Sequence, residues 1–165
     1  MILRGFRRGV DRFLDALDSE GVILFQIVVY AHMILGGLYC LFIAQGVPQS
    51  VGQAMGPFVE FVWLWLFVGM SICLIGKYLS SAPDKTRFWV YRLGLWLQLG
   101  GDVSAFGGFA GYVIGTLQMA WWGKSVVAVF GFAAYAWCAA FLALRDIRRI
   151  TQARKALRRA EKEDS

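Results

Sequence analysis

The sequence predicts an all-α integral membrane protein: a bundle of four transmembrane helices with both termini on the cytoplasmic side, led by an amphipathic helix and followed by a basic helical tail. Three observations carry this. Of the 165 residues, 58% are hydrophobic and 16% aromatic, and the mean hydropathy is +0.55, well above the balance of an ordinary soluble domain. Four mostly apolar stretches reach the ~20 residues that a helix needs to cross a bilayer. The 17 Lys and Arg residues fall almost wholly on one side of those stretches.

In chain order, residues 1–21 come first. Leu3, Phe6, Val10, Phe13, Leu14 and Leu17 recur at helical spacing with Arg and Asp on the opposite face, the pattern of a helix lying along the inner leaflet or docked on its own bundle or a partner. Arg12, Asp15 and Asp18 break any apolar core that a secretory signal would need. The transmembrane domain occupies 22–144, with spans at about 22–45, 58–79, 88–117 and 125–144. GVPQSVGQAMGP between the first two is a Gly/Pro-marked uncharged loop. SSAPDKTR separates the second from the third, and the short QMAWWGK makes the third and fourth antiparallel neighbours. Residues 145–165 continue the last helix as a basic cytoplasmic tail that ends in an acidic cluster.

Orientation follows from the excess of Lys and Arg in cytoplasmic loops. Arg4, Arg7, Arg8 and Arg12 precede the first span, Lys77, Lys85, Arg87 and Arg92 surround the middle loop, and eight more basic residues lie from Arg145 onward. Lys124 alone falls on the other side. Both termini are therefore expected inside, with Trp121 and Trp122 in the outer interfacial belt and Trp89 and Tyr91 in the inner one. The tail residues Arg148, Arg149, Arg154, Lys155, Arg158 and Arg159 are expected to face anionic lipid headgroups, each worth up to ~1 kcal/mol near the surface. The same residues need no nucleic-acid partner.

No catalytic, metal or cofactor motif is legible: there is one histidine, no paired Cys motif and no phosphate-binding glycine loop. Cys40, Cys73 and Cys138 read as small core-filling residues. The chain is not expected to be an enzyme or to hold a cofactor. What stands out is polarity at membrane depth, because an ionisable side chain near the bilayer centre costs ~2.5–3.5 kcal/mol on insertion scales. Asp102, with Gln98 one turn earlier, and His32 in the first span are the candidates. Asp102 and His32 can lie level, ~14 and ~15 Å into parallel spans at 1.5 Å per residue, and are expected to pair; Gln98 or a second subunit is the next partner in line for Asp102. Glu60 lies near the outer interface and carries little weight.

Glycine spacing is the second signal. Gly107, Gly111 and Gly115 form two overlapping small-xxx-small patterns on the third span, and Gly100, Ser104 and Gly108 form another on an adjacent face. Such faces let helices approach closely, within one bundle or between copies, and a homo-oligomer is expected.

In size, in its four spans with a short basic tail, and in the stretch LQLGGDVSAFGGFAGYVIG, the chain resembles the holin-like membrane proteins encoded in lysis cassettes of actinobacterial phages. The resemblance implies a protein of the host's cytoplasmic membrane that associates laterally and permeabilises the membrane during lysis, without a substrate or an active site. Two other readings stay open. A small transporter or channel subunit would also place polar groups in the membrane, although the two halves show no internal repeat; an accessory or superinfection-exclusion protein would act through a partner.

Overall fold

The computed structural model of the chain describes residues 15–16, 19–43, 52–53, 56, 59–81, 88–118 and 122–163. They form four long helices: α1 (Glu20–Phe42), α2 (Val59–Ser81), α3 (Phe88–Gln118) and α4 (Trp122–Glu163). No strand occurs among the described residues. Most of the expected amphipathic segment, the loops at 44–51, 82–87 and 119–121, and the side chain of Glu60 lie outside them.

The first three helices follow the expected spans closely. Ser19, in extended backbone, turns the chain into α1, and its carbonyl accepts the Ile23 N–H at 3.2 Å. The fourth helix continues through the tail, as expected. It runs 42 residues without a break, ~63 Å at 1.5 Å per residue, because no Gly or Pro occurs between Phe132 and Glu163 and Ala, Leu, Arg and Lys favour continuation. Two stretches, Gly21–Phe42 and Val126–Ala156, are long and apolar enough to cross a membrane. Leu24, Leu41, Val127 and Trp137 on their outward faces are all well exposed, whereas beyond Leu144 the exposed residues of α4 include Thr151, Gln152, Arg154 and Lys155.

Each helix packs antiparallel to the one before it. Gly37 of α1 meets Phe67 of α2, while Gln26, earlier in α1, reaches Lys77, later in α2. Leu66 of α2 lies over Gly108 and Gly76 over Gly94 of α3. Phe109 of α3 meets Phe132 and Tyr135 of α4 at ring-centroid distances of 5.8 and 5.6 Å. Tyr30, Leu66, Met70, Ala105, Phe109, Ala136 and Ala139 fill the centre.

The closest contact is the α2–α3 seam, built from Gly69 and Gly76 on one side and Gly94, Gly101 and Gly108 on the other. These glycines recur every seven residues, the spacing that keeps one stripe facing a partner in a left-handed crossing. A methyl on Gly76 would lie 2.6 Å from the Gly94 carbonyl oxygen, and one on Gly94 2.7 Å from that of Gly76. One on Gly101 would collide with Cys73 and the Gly69 carbonyl. Of the positions singled out from the sequence, Ser104 and Gly108 therefore lie in the seam, against Gly69 and Leu66. Gly100 and Gly107 face open space, and Gly111 has room for a methyl 3.6 Å from Val62. Gly115 is half-buried. The small residues that bring α2 and α3 together thus follow a seven-residue period, which a search for four-residue spacing divides between two faces.

Candidate functional site

Toward the end of the bundle where α1 begins and α2 ends, the core turns polar. Each helix contributes a pair of residues one turn apart: Gln26 and Tyr30 from α1, Cys73 and Lys77 from α2, Gln98 and Asp102 from α3, Arg145 and Arg149 from α4. Residues i and i+4 share a helix face, so four such pairs on four inward faces converge. Asp102, Arg145 and the adjacent Asp146 are fully buried.

Asp102 is the hub. Its Oδ1 accepts hydrogen bonds from Tyr30 Oη at 2.6 Å, Gln26 Nε2 at 2.9 Å and Cys73 Sγ at 3.2 Å. Its Oδ2 lies 4.0 Å from Arg145 Nη2. Arg145 Nε donates to Asp146 Oδ1 at 2.9 Å. The Gln26 amide joins both signs of charge: its nitrogen donates to Asp102, while its oxygen accepts from Lys77 Nζ at 3.3 Å and Arg145 Nη2 at 3.4 Å. That division sets the amide's orientation, since only the oxygen can accept from a cation. The close approach at Gly101 brings Cys73 onto Asp102.

The network balances charge without meeting every hydrogen-bonding demand. Two carboxylates face Arg145 and Lys77, yet Asp102 Oδ2, Asp146 Oδ2, Arg145 Nη1 and Gln98 Oε1 are buried without a hydrogen-bond partner among the described residues. A buried ion pair is at best near break-even against desolvation, whereas removing one member strands a charge at a cost of ~3–5 kcal/mol. Such a network contributes little net stability while holding its helices in one arrangement. Arg145 follows directly on the uncharged run Val126–Leu144 of α4.

Several expectations are corrected here. His32 does not pair with Asp102. It lies exposed, with Nδ1 2.9 Å from its own helix's Val28 carbonyl oxygen, because two residues along a helix turn the side chain by ~200° away from the face that carries Tyr30. Gln98 does not reach Asp102 either; its Nε2 donates to Ser80 Oγ at 2.7 Å and faces the Gly76 and Gly94 carbonyls at 3.4 Å. Arg145 and Asp146, assigned to the tail from sequence, belong to the bundle interior. Arg148 lies 2.9 Å from Asp15, and Arg154 stands over the Trp96 ring at 5.5 Å in a cation–π arrangement. Lys155 and Arg158 are exposed, and the side chain of Arg159 lies outside the described residues.

Gln26, Tyr30, Cys73, Lys77, Arg145 and Asp146 were missed by reading each span for its most polar residue. The available signal was the i, i+4 repetition: a polar pair on one face of every helix. No group of three metal-ligating side chains occurs among the described residues. No family model, curated protein or solved structure matches the chain.

Proposed function

We propose that the chain is a four-span protein of a bacterial cytoplasmic membrane, with both termini inside, that associates laterally and permeabilises the membrane as the holin-like proteins of phage lysis do. The alternation of helix direction supports four crossings, since α1 and α4 each have the length and apolarity for one and α2 and α3 are packed antiparallel between them. The concentration of Lys and Arg before α1, around the α2–α3 connection and in the last part of α4 supports the orientation.

The observation that carries the functional reading is the buried network of Asp102, Arg145, Asp146, Gln26 and Lys77, which links all four helices while leaving three of its polar atoms without hydrogen-bond partners among the described residues. It acts as a charge lock. The closed bundle persists while these groups satisfy one another, and a form that hydrates them competes with it. An elementary charge moved across the whole membrane responds to voltage by ~2.3 kcal/mol per 100 mV, so an opening that carries Arg145 or Lys77 through part of the field would respond to collapse of the potential in proportion to that part. Gly100 and Gly107, on the open side of α3, offer a close-approach face to a second copy.

Induced expression in bacteria loaded with a potential-sensitive dye tests this. The expected result is a delayed, abrupt loss of potential and viability; cells that keep both while the protein accumulates in the membrane would exclude it. A second reading, a channel or transporter subunit, is favoured by a cavity of about 420 Å³ beside the network, lined by Lys77, Ser80, Gln98 and Gln152 among others, and graded flux of one solute without loss of viability would support it.

A further inference from the structure

Midway along α1 one polar side chain faces away from the bundle. His32 is exposed, and its Nδ1 lies 2.9 Å from the Val28 carbonyl oxygen of its own helix. A carbonyl only accepts, so Nδ1 carries the ring proton and Nε2 of the neutral imidazole is left as an acceptor on the outer surface. Lipid tails hold no donor to meet it. A donor stands on the outward face of α4: Trp137 is 65% exposed, its ring touches Phe141, and an indole N–H only donates.

The two residues lie at nearly one depth. Three reversals of direction make α4 antiparallel to α1. Arg145 of α4 donates to Gln26 of α1, and Tyr30 packs into one cluster with Ala136 and Ala139. From the level of Gln26 and Arg145, His32 lies six residues along α1, ~9 Å, and Trp137 eight residues back along α4, ~12 Å in the same direction. They differ by ~3 Å, within the reach of an indole. Tyr39, an exposed hydroxyl on α1, is ~10 Å farther along the axis than His32.

We propose that His32 and Trp137 join neighbouring copies of the chain: α1 of one packs against α4 of the next, and the Trp137 N–H donates to His32 Nε2 across the contact. Copies inserted by the same route share one orientation, so residues level in one copy are level between copies. The two surfaces also match in size. Beside Trp137, α4 presents Gly131, which faces open space, with Ala134 and Cys138 exposed, while α1 presents Val28, Leu35 and Tyr39. Small residues on one helix admit the larger side chains of the other. The contact is heterologous. Each copy offers α1 to one neighbour and α4 to another, so it builds a ring or a chain and does not stop at a dimer. It presupposes that α1 and α4 cross the membrane, as proposed, and gives the lateral association a defined surface separate from the open side of α3.

Two co-expressed, differently tagged copies test it in the membrane. One carries His32→Cys and the other Trp137→Cys, both with Cys138→Ala, since Cys40 and Cys73 are buried. Mild oxidation should link the two tags to each other in preference to like-tagged copies. Trp137→Phe keeps the ring and removes only the N–H. It should weaken association about three- to tenfold, the scale of a hydrogen bond inside a membrane, measured as energy transfer between fluorescently tagged copies diluted in vesicles. Adding His32→Ala should make Trp137→Phe silent, because both remove the same bond. Links only between like positions, or no link between the two tags, would overturn the proposal, as would association unchanged by Trp137→Phe. The Phe variant needs no cysteine substitution, so it carries the test if the cysteine variants fail to fold. Neither measurement reads permeabilisation: linked copies in cells that keep their potential would sink the functional reading and leave the contact standing.

Discussion

At the residue scale, the bundle depends on a carboxylate that cannot be left without partners. Arg145→Gln removes the cation nearest Asp102 and Asp146 while Gln26 and Tyr30 still hold Oδ1. It should destabilise the detergent-solubilised protein by about 3–5 kcal/mol. Tyr30→Phe deletes one charge-assisted bond at 2.6 Å and should cost about 1.5–3 kcal/mol. Asp102→Asn with Arg145→Gln should be milder than the sum of the two, because each single change strands what the other removes. Thermal unfolding followed by helix content measures all four proteins, and strictly additive losses would show that the two residues do not act on each other. His32→Ala provides the contrast: as an exposed side chain bonded to its own helix, it should shift stability by less than about 0.5 kcal/mol. That outcome separates residues that merely sit level in depth from residues that share a face.

At the element scale, the seven-residue glycine period separates positions that look alike in the sequence. Gly101→Ala forces α2 and α3 apart, since its methyl would meet Cys73 and backbone, and the shift would also pull Cys73 off Asp102. Gly100→Ala and Gly107→Ala place a methyl in open space and should stabilise α3 by up to about 0.5–1 kcal/mol each, as alanine is the better helix former. Comparing melting of these three variants decides the matter; equal loss at Gly100 and Gly101 would contradict the seam. The helices themselves were legible because apolar length and Gly/Pro loops mark them without reference to tertiary structure, and Asp102 was legible because a carboxylate inside an apolar run is rare. Its partners were not. Depth along the axis can be counted from sequence, but the rotation that turns Tyr30 inward and His32 outward is set by packing at Gly37 and across the glycine seam. Arg145 was hidden for a related reason. It is the first of the tail's basic residues in the sequence, and although the helix was expected to continue through it, nothing local says that its side chain turns inward.

At the scale of the whole molecule, the proposed lock and the proposed lateral association would make opposite demands on timing. Reporter fusions after Ser165 and within 47–55 should report opposite sides of the membrane if, as proposed, the chain crosses it four times; the same side for both would overturn the four-span reading. Given that arrangement, weakening the lock should bring permeabilisation forward. A loss of about 3 kcal/mol from the closed form alone shifts a closed-to-open equilibrium by roughly a hundredfold, so Arg145→Gln should trigger at a smaller accumulated amount than the natural chain. Gly107→Leu should act the other way. It leaves the α2–α3 seam untouched, because Gly107 faces open space, but it blocks close approach of a second α3 and should delay the event. Dye release at matched membrane levels, with and without an added uncoupler, reads both effects. The uncoupler should advance triggering in the natural chain and have less effect on Arg145→Gln, whose lock is already weakened. Identical timing in all three proteins would separate the buried network from permeabilisation and leave it holding the bundle's shape alone.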